Sequence, residues 1–137
     1  MAPGDQPNVV AIFSPSLAET RERLDKWVKR LLGDRVDEYS VVRLDAAARD
    51  PDSLTDHLGG LSLLAAERVV VIDRADEWSP SQQRRFLQML RNLPPGISVI
   101  ITVCGEQATR RSVLQQELQD FIERYGAIER VGTLQFR

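Results

Sequence analysis

The segment from Arg68 to Asp73, with the sequence RVVVID, is the feature that most restricts the fold of this chain. Four consecutive β-branched residues stand between charged residues, too few for a buried helix and without the alternation of a half-exposed strand. This pattern predicts a central strand of a parallel sheet that is covered on both faces. Because α/β proteins place their chemistry at the carboxyl ends of such strands, Asp73 is the first candidate functional residue.

Length, charge and composition exclude several classes of protein. A chain of 137 residues fits one domain with a real core. A net charge of −2 argues against a domain whose main function is to bind nucleic acid. The single cysteine, Cys104, excludes an internal disulfide, and with one histidine, His57, it argues against a zinc site. Without an apolar run of membrane length or a signal-peptide pattern, we expect a cytoplasmic protein with no membrane partner.

Apolar strand patterns alternate with helix-start signals along the chain. Further strands are expected at 8–13, 39–44, 97–103 and 127–131. Helices are expected at 16–33, 50–58, 79–93 and 112–125, with Ser-initiated capping boxes at Ser16 and Ser79 and an Asp-Pro start at Asp50. The first helix has an apolar stripe of Leu17, Leu24, Trp27, Val28, Leu31 and Leu32. The alternation predicts an α/β fold, a three-layer α/β/α domain with a five-stranded parallel sheet.

A phosphate-binding loop would lie between the first strand and the first helix, where glycines let backbone N–H groups converge on phosphate. The turn at 14–19 contains no glycine and no lysine. Pro15 removes one N–H donor, and Glu19 adds a charge that repels phosphate. No glycine in the chain is followed by Lys-Ser or Lys-Thr. We therefore expect a degenerate phosphate loop, no cofactor and no catalytic activity of the domain itself.

The strand that ends in Asp73 has the pattern of a Walker B segment, in which the aspartate orients Mg²⁺ and a following glutamate polarises water. Position 74 is arginine instead of glutamate. Without a phosphate loop, one acid does not hold a magnesium nucleotide. Asp73 is therefore expected to cap the following turn, or to pair with Arg74 or with a basic residue of a neighbouring strand. Ser14, Pro15 and Asp73 are predicted to form a vestigial nucleotide rim without metal.

From Arg68 onward, the order of elements resembles that of bacterial clamp-loader subunits. The central strand and its terminal acid are followed by Ala-Asp-Glu-Trp, the serine-capped helix, Pro-Pro-Gly and the next apolar strand. The run at 68–76, preceded by Leu-Ser-Leu-Leu, is most similar to the N-terminal domain of the delta subunit of DNA polymerase III. The resemblance implies an AAA+ (RecA-like) fold without a working phosphate loop, inside a larger DNA polymerase III holoenzyme, a nucleotidyltransferase. It divides the chain into a disordered start at 1–7, the AAA+-like domain at 8–132 and, at 133–137, the beginning of a linker to further domains.

The resemblance also implies a role in DNA replication. A delta subunit binds the sliding clamp, the beta subunit, and helps to open it through a pair of large apolar residues before the third strand. By position this pair is Leu63 and Leu64, with Leu61 and Ser62 immediately upstream. Two adjacent leucines cannot both point into one face of a helix or strand, so at least one is expected to be exposed. Other clamp-loader subunits would be contacted through C-terminal domains, and DNA only indirectly.

Three alternatives remain open from the sequence. The leucines at 61, 63 and 64 could extend the apolar stripe of Leu54 and Leu58 into the core. The chain could be a delta-prime-like stator, which meets neighbouring subunits instead of the clamp. It could also be a nucleotide-dependent enzyme with an atypical phosphate site that uses Asp73 and Ser14.

Overall fold

The computed structural model of this protein describes residues 8–33, 41–55, 67–109 and 113–131. Its five parallel strands form one sheet in the order β2-β3-β4-β1-β5. The strands are β1 (Val9–Ser14), β2 (Val41–Asp45), β3 (Arg68–Asp73), β4 (Ile97–Cys104) and β5 (Ala127–Arg130). The described α-helices are α1 (Leu17–Leu32), α2 (Pro80–Arg91) and α3 (Gln116–Tyr125), and short 3₁₀ turns cover Pro51–Leu54, Ala75–Glu77 and Glu106–Thr109. The predicted five-stranded parallel sheet is confirmed.

Helices cover both faces of the sheet, which confirms the three-layer prediction. On one face, α1 packs its Leu24 and Trp27 against the inward side chains of the central strands, such as Val71 and Ile100. On the other face, α2 and α3 contribute Phe86 and Leu118 to the larger apolar cluster. Since β1, β3 and β4 are buried on both sides, their sequences are almost continuously apolar.

The two predicted serine caps differ in detail. Ser79 forms a reciprocal capping box, because its side chain accepts from Gln82 N at 3.2 Å while Ser79 N donates to Gln82 Oε1 at 2.9 Å. Ser16 accepts from Glu19 N at 3.2 Å, but its own N–H donates to the Ser14 hydroxyl at 3.3 Å. The Glu19 carboxylate therefore contacts the Ser16 hydroxyl instead of the Ser16 backbone.

Two expectations about the helices are wrong. The last helix begins at Gln116 instead of at 112, because the Gln115 side chain accepts from Leu118 N at 3.2 Å and acts as the N-cap. Leu17 is 71% exposed and lies outside the apolar stripe of α1. It is the first residue of α1, directly after the N-cap Ser16, and the buried residues of this helix begin only at Thr20. Predicted residues 39–40 and 56–58, including His57, lie outside the described residues.

Both tryptophans pack in the core, and each donates one hydrogen bond. Trp27 is 9% exposed, and its indole N–H donates to Glu129 Oε1 at 2.7 Å, which ties α1 to β5. Trp78 is 3% exposed, contacts Phe86 and donates to the Arg49 carbonyl at 2.7 Å. Buried indoles usually need such a partner, so these bonds hold distant segments together as well as filling space.

Gly126 joins α3 to β5 at a point where no side chain fits. A Cβ added there would lie 2.2 Å from the Val9 carbonyl oxygen, which belongs to the backbone of a central strand. We expect Gly126→Ala to lower the free energy of unfolding by about 3 kcal/mol, because a backbone atom of β1 must move. Glu123→Ala, at an exposed position of the same helix, should change it by less than about 0.5 kcal/mol. Urea denaturation of both variants measures the difference, and a Gly126→Ala variant as stable as Glu123→Ala would contradict this packing.

Candidate functional site

The carboxyl edge of the sheet between β1 and β4 is the place where an open α/β sheet would bind a ligand. From β1 the chain continues toward the β2 side of the sheet, and from β4 it continues to β5 on the other side. The position at which successive connections leave in opposite directions is the topological switch point of the sheet. In open α/β sheets, ligands bind there, outside the carboxyl ends of the strands. Ser14 and Cys104, the last residues of the two strands, are paired there.

The switch point is closed by bonds within the chain. Gly105 N donates to the Ser14 carbonyl oxygen at 2.9 Å, which extends the pairing of β1 and β4 beyond the strand ends. The Ser14 side chain is fully buried, and its hydroxyl donates to the Ser16 carbonyl at 3.0 Å while it accepts from Ser16 N at 3.3 Å. Pro15, between them, is exposed and has no N–H. The polar groups of this turn are therefore bonded to one another instead of facing a ligand.

The amino end of α1 is already occupied by an acidic side chain. Glu19 N donates to the Ser16 hydroxyl, and this hydroxyl lies 3.2 Å from Glu19 Oε1, to which it donates. A helix amino terminus favours a negative charge, and here the charge is supplied by the first turn of the helix itself. A phosphate at the same place would be repelled by Glu19.

Asp73 is held by three donors from the two neighbouring strands. Its Oδ1 accepts from the Thr102 hydroxyl at 2.8 Å and from Arg43 Nη2 at 3.1 Å. Its Oδ2 accepts from Arg43 Nε at 2.5 Å. Of the alternatives raised by the sequence, the partner is thus a basic residue of the neighbouring strand β2, and Arg74 binds elsewhere.

A second arginine–aspartate pair lies beside the first one. Asp45 on β2 is directly opposite Asp73 on β3, an arrangement in which two like charges repel. Arg74 donates through Nε to Asp45 Oδ1 at 3.0 Å and through Nη2 to Asp45 Oδ2. Each arginine therefore crosses to the aspartate of the other strand. We call Arg43–Asp73 and Arg74–Asp45 the crossed ion pairs.

The backbone of Arg74 has a conformation that is uncommon for a residue with a side chain. Its φ of 60° and ψ of 44° are left-handed, and within the described ranges it is the only non-glycine residue with positive φ. Arg74 N donates to the Thr102 carbonyl at 3.0 Å, and its own carbonyl accepts from Glu77 N at 2.9 Å. Such a conformation costs about 1–2 kcal/mol, which the surrounding bonds offset.

The crossed ion pairs favour the charged forms of Arg43, Asp45 and Arg74. Hydrogen bonding to Arg74 lowers the pKa of Asp45 below its ordinary value of 3.8. The hydrogen bonds to Asp73 and Asp45 raise the pKa values of Arg43 and Arg74, respectively. In the described part of the chain, no three His, Cys, Asp or Glu side chains are grouped so that they could hold a metal ion. At this edge, guanidinium groups occupy the place beside Asp73 that a cation would need.

Comparison with known proteins shows the fold. No family model and no curated protein matches the sequence. Three solved structures are similar: a DNA polymerase III gamma subunit-related protein from Thermotoga maritima (12% identity, TM-score 0.68), the DNA clamp loader delta protein of Bacillus subtilis (8%, 0.62) and RIF2 of Saccharomyces cerevisiae (13%, 0.57). They match 95%, 93% and 93% of this chain. The chain therefore shares the fold of these structures, a three-layer arrangement around a five-stranded parallel sheet. The chain spans 43%, 39% and 50% of the lengths of these three proteins.

The fold brings some of the predicted site residues to one edge. Ser14, Pro15 and Asp73 all lie at the carboxyl edge, with β4 between β1 and β3, so that Ser14 and Asp73 are separated by about 10 Å. Leu61, Ser62, Leu63 and Leu64 lie outside the described residues. The sequence reading missed Arg43 and Asp45, although their charges interrupt an otherwise apolar strand and could have indicated a polar edge. Among the helices described above, none is long and apolar enough to span a bilayer.

Substitutions at Arg74 test the left-handed turn and its ion pair together. Both Arg74→Ala and Arg74→Gly remove the pair with Asp45, but only glycine relieves the backbone strain. We expect Arg74→Gly to be more stable than Arg74→Ala by about 1 kcal/mol in urea denaturation. At Arg84, an exposed helical position of α2, the order should be reversed, with the glycine variant less stable by about 1 kcal/mol. The same order of stability at both positions would contradict the conformation assigned to Arg74.

Proposed function

We propose that this chain is a non-catalytic clamp-loader domain of the delta type, which binds a DNA sliding clamp and helps to open it during replication. The fold supports this proposal, because it is shared with a clamp loader delta protein and with a gamma subunit-related protein. The closed turn at Ser14–Ser16 is the observation that carries it. A domain that keeps the AAA+-like sheet without a usable phosphate turn is suited to a binding role instead of hydrolysis.

The choice between subunit types depends on this turn and not on the degree of similarity. The TM-scores of 0.68 and 0.62 both report a common fold and do not separate a gamma type from a delta type. In this chain Ser14 is bonded to Ser16, Glu19 occupies the amino end of α1, and Asp73 is bonded to Arg43. All three favour a subunit that works without its own nucleotide.

The proposed clamp contact consists of Leu61, Ser62, Leu63 and Leu64. Leu64 precedes Glu67 by three residues. Glu67 is followed directly by β3, whose first residue, Arg68, lies at the amino edge of the sheet. In the sequence, the proposed contact therefore comes before β3, whereas the crossed ion pairs lie at the carboxyl ends of β2 and β3.

The two leucines could anchor a complex but need support from other contacts. A buried leucine contributes about 1.5–3 kcal/mol, whereas association costs about 4–15 kcal/mol in lost freedom of motion. Polar contacts around the leucine pair would supply the remainder. Other clamp-loader subunits are proposed as further partners. DNA is proposed to be contacted only indirectly, with no cofactor bound and the cytoplasm as the location.

The proposal predicts that the domain does not bind magnesium nucleotide. Isothermal titration of the chain with ATP and Mg²⁺ should give no saturable heat in the micromolar range. Arg43→Ala combined with Arg74→Ala should behave in the same way, because freeing Asp73 does not supply the missing N–H groups at 14–16. Micromolar binding by the unmodified chain would instead support the enzyme alternative.

The second prediction concerns the leucine pair. Replacing Leu63 and Leu64 together by alanine should remove about 3–6 kcal/mol of binding free energy, and so weaken binding to a bacterial sliding clamp by at least a hundredfold. Leu17→Ala is the matched control, since Leu17 is an exposed leucine that is not part of the proposed contact. Surface plasmon resonance measures the affinity, and thermal unfolding measures the stability of each variant.

Two outcomes would contradict this assignment. If the Leu63→Ala, Leu64→Ala variant unfolds, the leucines belong to the core, as one of the alternatives holds. If it folds and still binds the clamp like the unmodified chain, the contact lies elsewhere. A stator of the delta-prime kind would not bind the clamp in either form.

A further inference from the structure

An open groove of about 910 Å³ lies between α2 and α3. Because α2 follows β3 and α3 follows β4 in a parallel sheet, both helices run from the carboxyl edge back to the amino edge. The last turns of the two helices therefore lie at the same end of the groove, near the amino edge. The two ends of the groove thus differ in the residues that they present.

The floor of the groove is apolar and accessible. Leu90 and Leu93 line it on the side of α2, and Phe121 and Tyr125 line it on the side of α3. Tyr125 is 61% exposed, one of only two large apolar side chains in the described ranges that are so open. Its ring lies 5.1 Å from that of Phe121, which is half-buried. A joined surface of this kind, unlike a single exposed apolar residue, indicates a contact site.

The charged side chains of the groove are balanced in number but separated along its length. Glu117 and Asp120 lie in the first half of α3, whereas Arg124 lies in its last turn, about 10 Å from Glu117 along the helix axis. Arg91 is in the last turn of α2, at the same end as Arg124. Within the described chain, neither arginine forms an ion pair with either acid. The groove therefore has a negative end and a positive end.

A partner that fits this groove must carry the opposite order of charges with an apolar centre. A second copy of the same groove has this order when it is rotated by 180°, because a two-fold axis places residue i on residue j and residue j on residue i. Glu117, Asp120, Phe121 and Arg124 share one face of α3 by their spacing of three, four and seven residues. An axis near Phe121 therefore sets the acids of one copy opposite Arg124 of the other and brings the apolar floors together.

We propose that this groove is the contact surface of a two-fold dimer of this chain. A segment of one charge sign would meet like charge at one end of the groove, and a neutral apolar segment would leave both ends without a partner. The pairing of guanidinium and carboxylate groups across the axis satisfies both ends at once. One helix and its groove offer fewer than the roughly 20–30 residues a side of a standard interface, so we expect a reversible dimer with a micromolar dissociation constant. The inference goes beyond the proposed function and does not require clamp binding.

Sedimentation equilibrium with two charge-reversed variants tests the dimer. Arg91→Glu with Arg124→Glu makes the groove wholly negative, and Glu117→Arg with Asp120→Arg makes it wholly positive. Each double variant alone should associate with itself at least tenfold more weakly than the unmodified chain. An equimolar mixture of the two should form a mixed dimer at least as tight as the unmodified dimer, because opposite charges then meet at both ends.

Two further variants separate the apolar contact from a general effect of charge. Tyr125→Ser should weaken the dimer at least tenfold, because it removes the most exposed part of the apolar floor. Arg84→Glu, at an exposed position of α2 that does not line the groove, should leave the dissociation constant unchanged. Thermal unfolding of every variant establishes that it is folded before its association is compared.

The following results would overturn the proposal. An unmodified chain that stays monomeric throughout the micromolar range has no such dimer. A dimer that persists in both charge-reversed variants uses another surface, and a mixture that stays monomeric shows that these charges do not pair between copies. If only a chain lacking residues 2–7 dimerises, the chain's own amino-terminal segment covers the groove. Clamp binding by the unmodified chain, measured in a separate experiment, reports on the proposed function alone.

Discussion

The enclosure of β3 is the constraint on which the rest of the structure depends. This strand is paired with β2 on one side and β4 on the other, and its four central side chains are buried on both faces of the sheet. Parallel pairing requires crossovers, which bring α1 to one face and α2 and α3 to the other. It also aligns the carboxyl ends of the strands, so that Asp45 comes to lie opposite Asp73. The fold thus creates a repulsion that Arg43 and Arg74 then offset.

This compensation decides what the carboxyl edge can do. In a nucleotide-binding relative the edge must offer free N–H groups and a free acid, whereas here both are bonded within the chain. Ser14 is bonded to Ser16, Gly105 extends the pairing of β1 and β4, and Asp73 is surrounded by Thr102 and Arg43. The accessible apolar surface lies instead at the opposite edge, between α2 and α3.

Local features of the fold were predictable from the sequence, whereas contacts between distant residues were not. The β-branched run of β3, the capping box at Ser79 and the missing phosphate loop each depend on a few adjacent residues. The crossed ion pairs depend on the register of β2 against β3, which no short pattern reports. The start of α3 was misjudged because its cap, Gln115, is a less usual cap than serine. The exposure of Leu17 was misjudged because helical periodicity does not show where the sheet beside the helix ends.

The most direct measurement is the affinity of the unmodified chain for a bacterial sliding clamp, determined with and without ATP and Mg²⁺. A domain that binds the clamp through a fixed apolar contact, and whose phosphate turn is closed, should give the same dissociation constant under both conditions. Absence of clamp binding, or binding that appears only with nucleotide, would contradict the account.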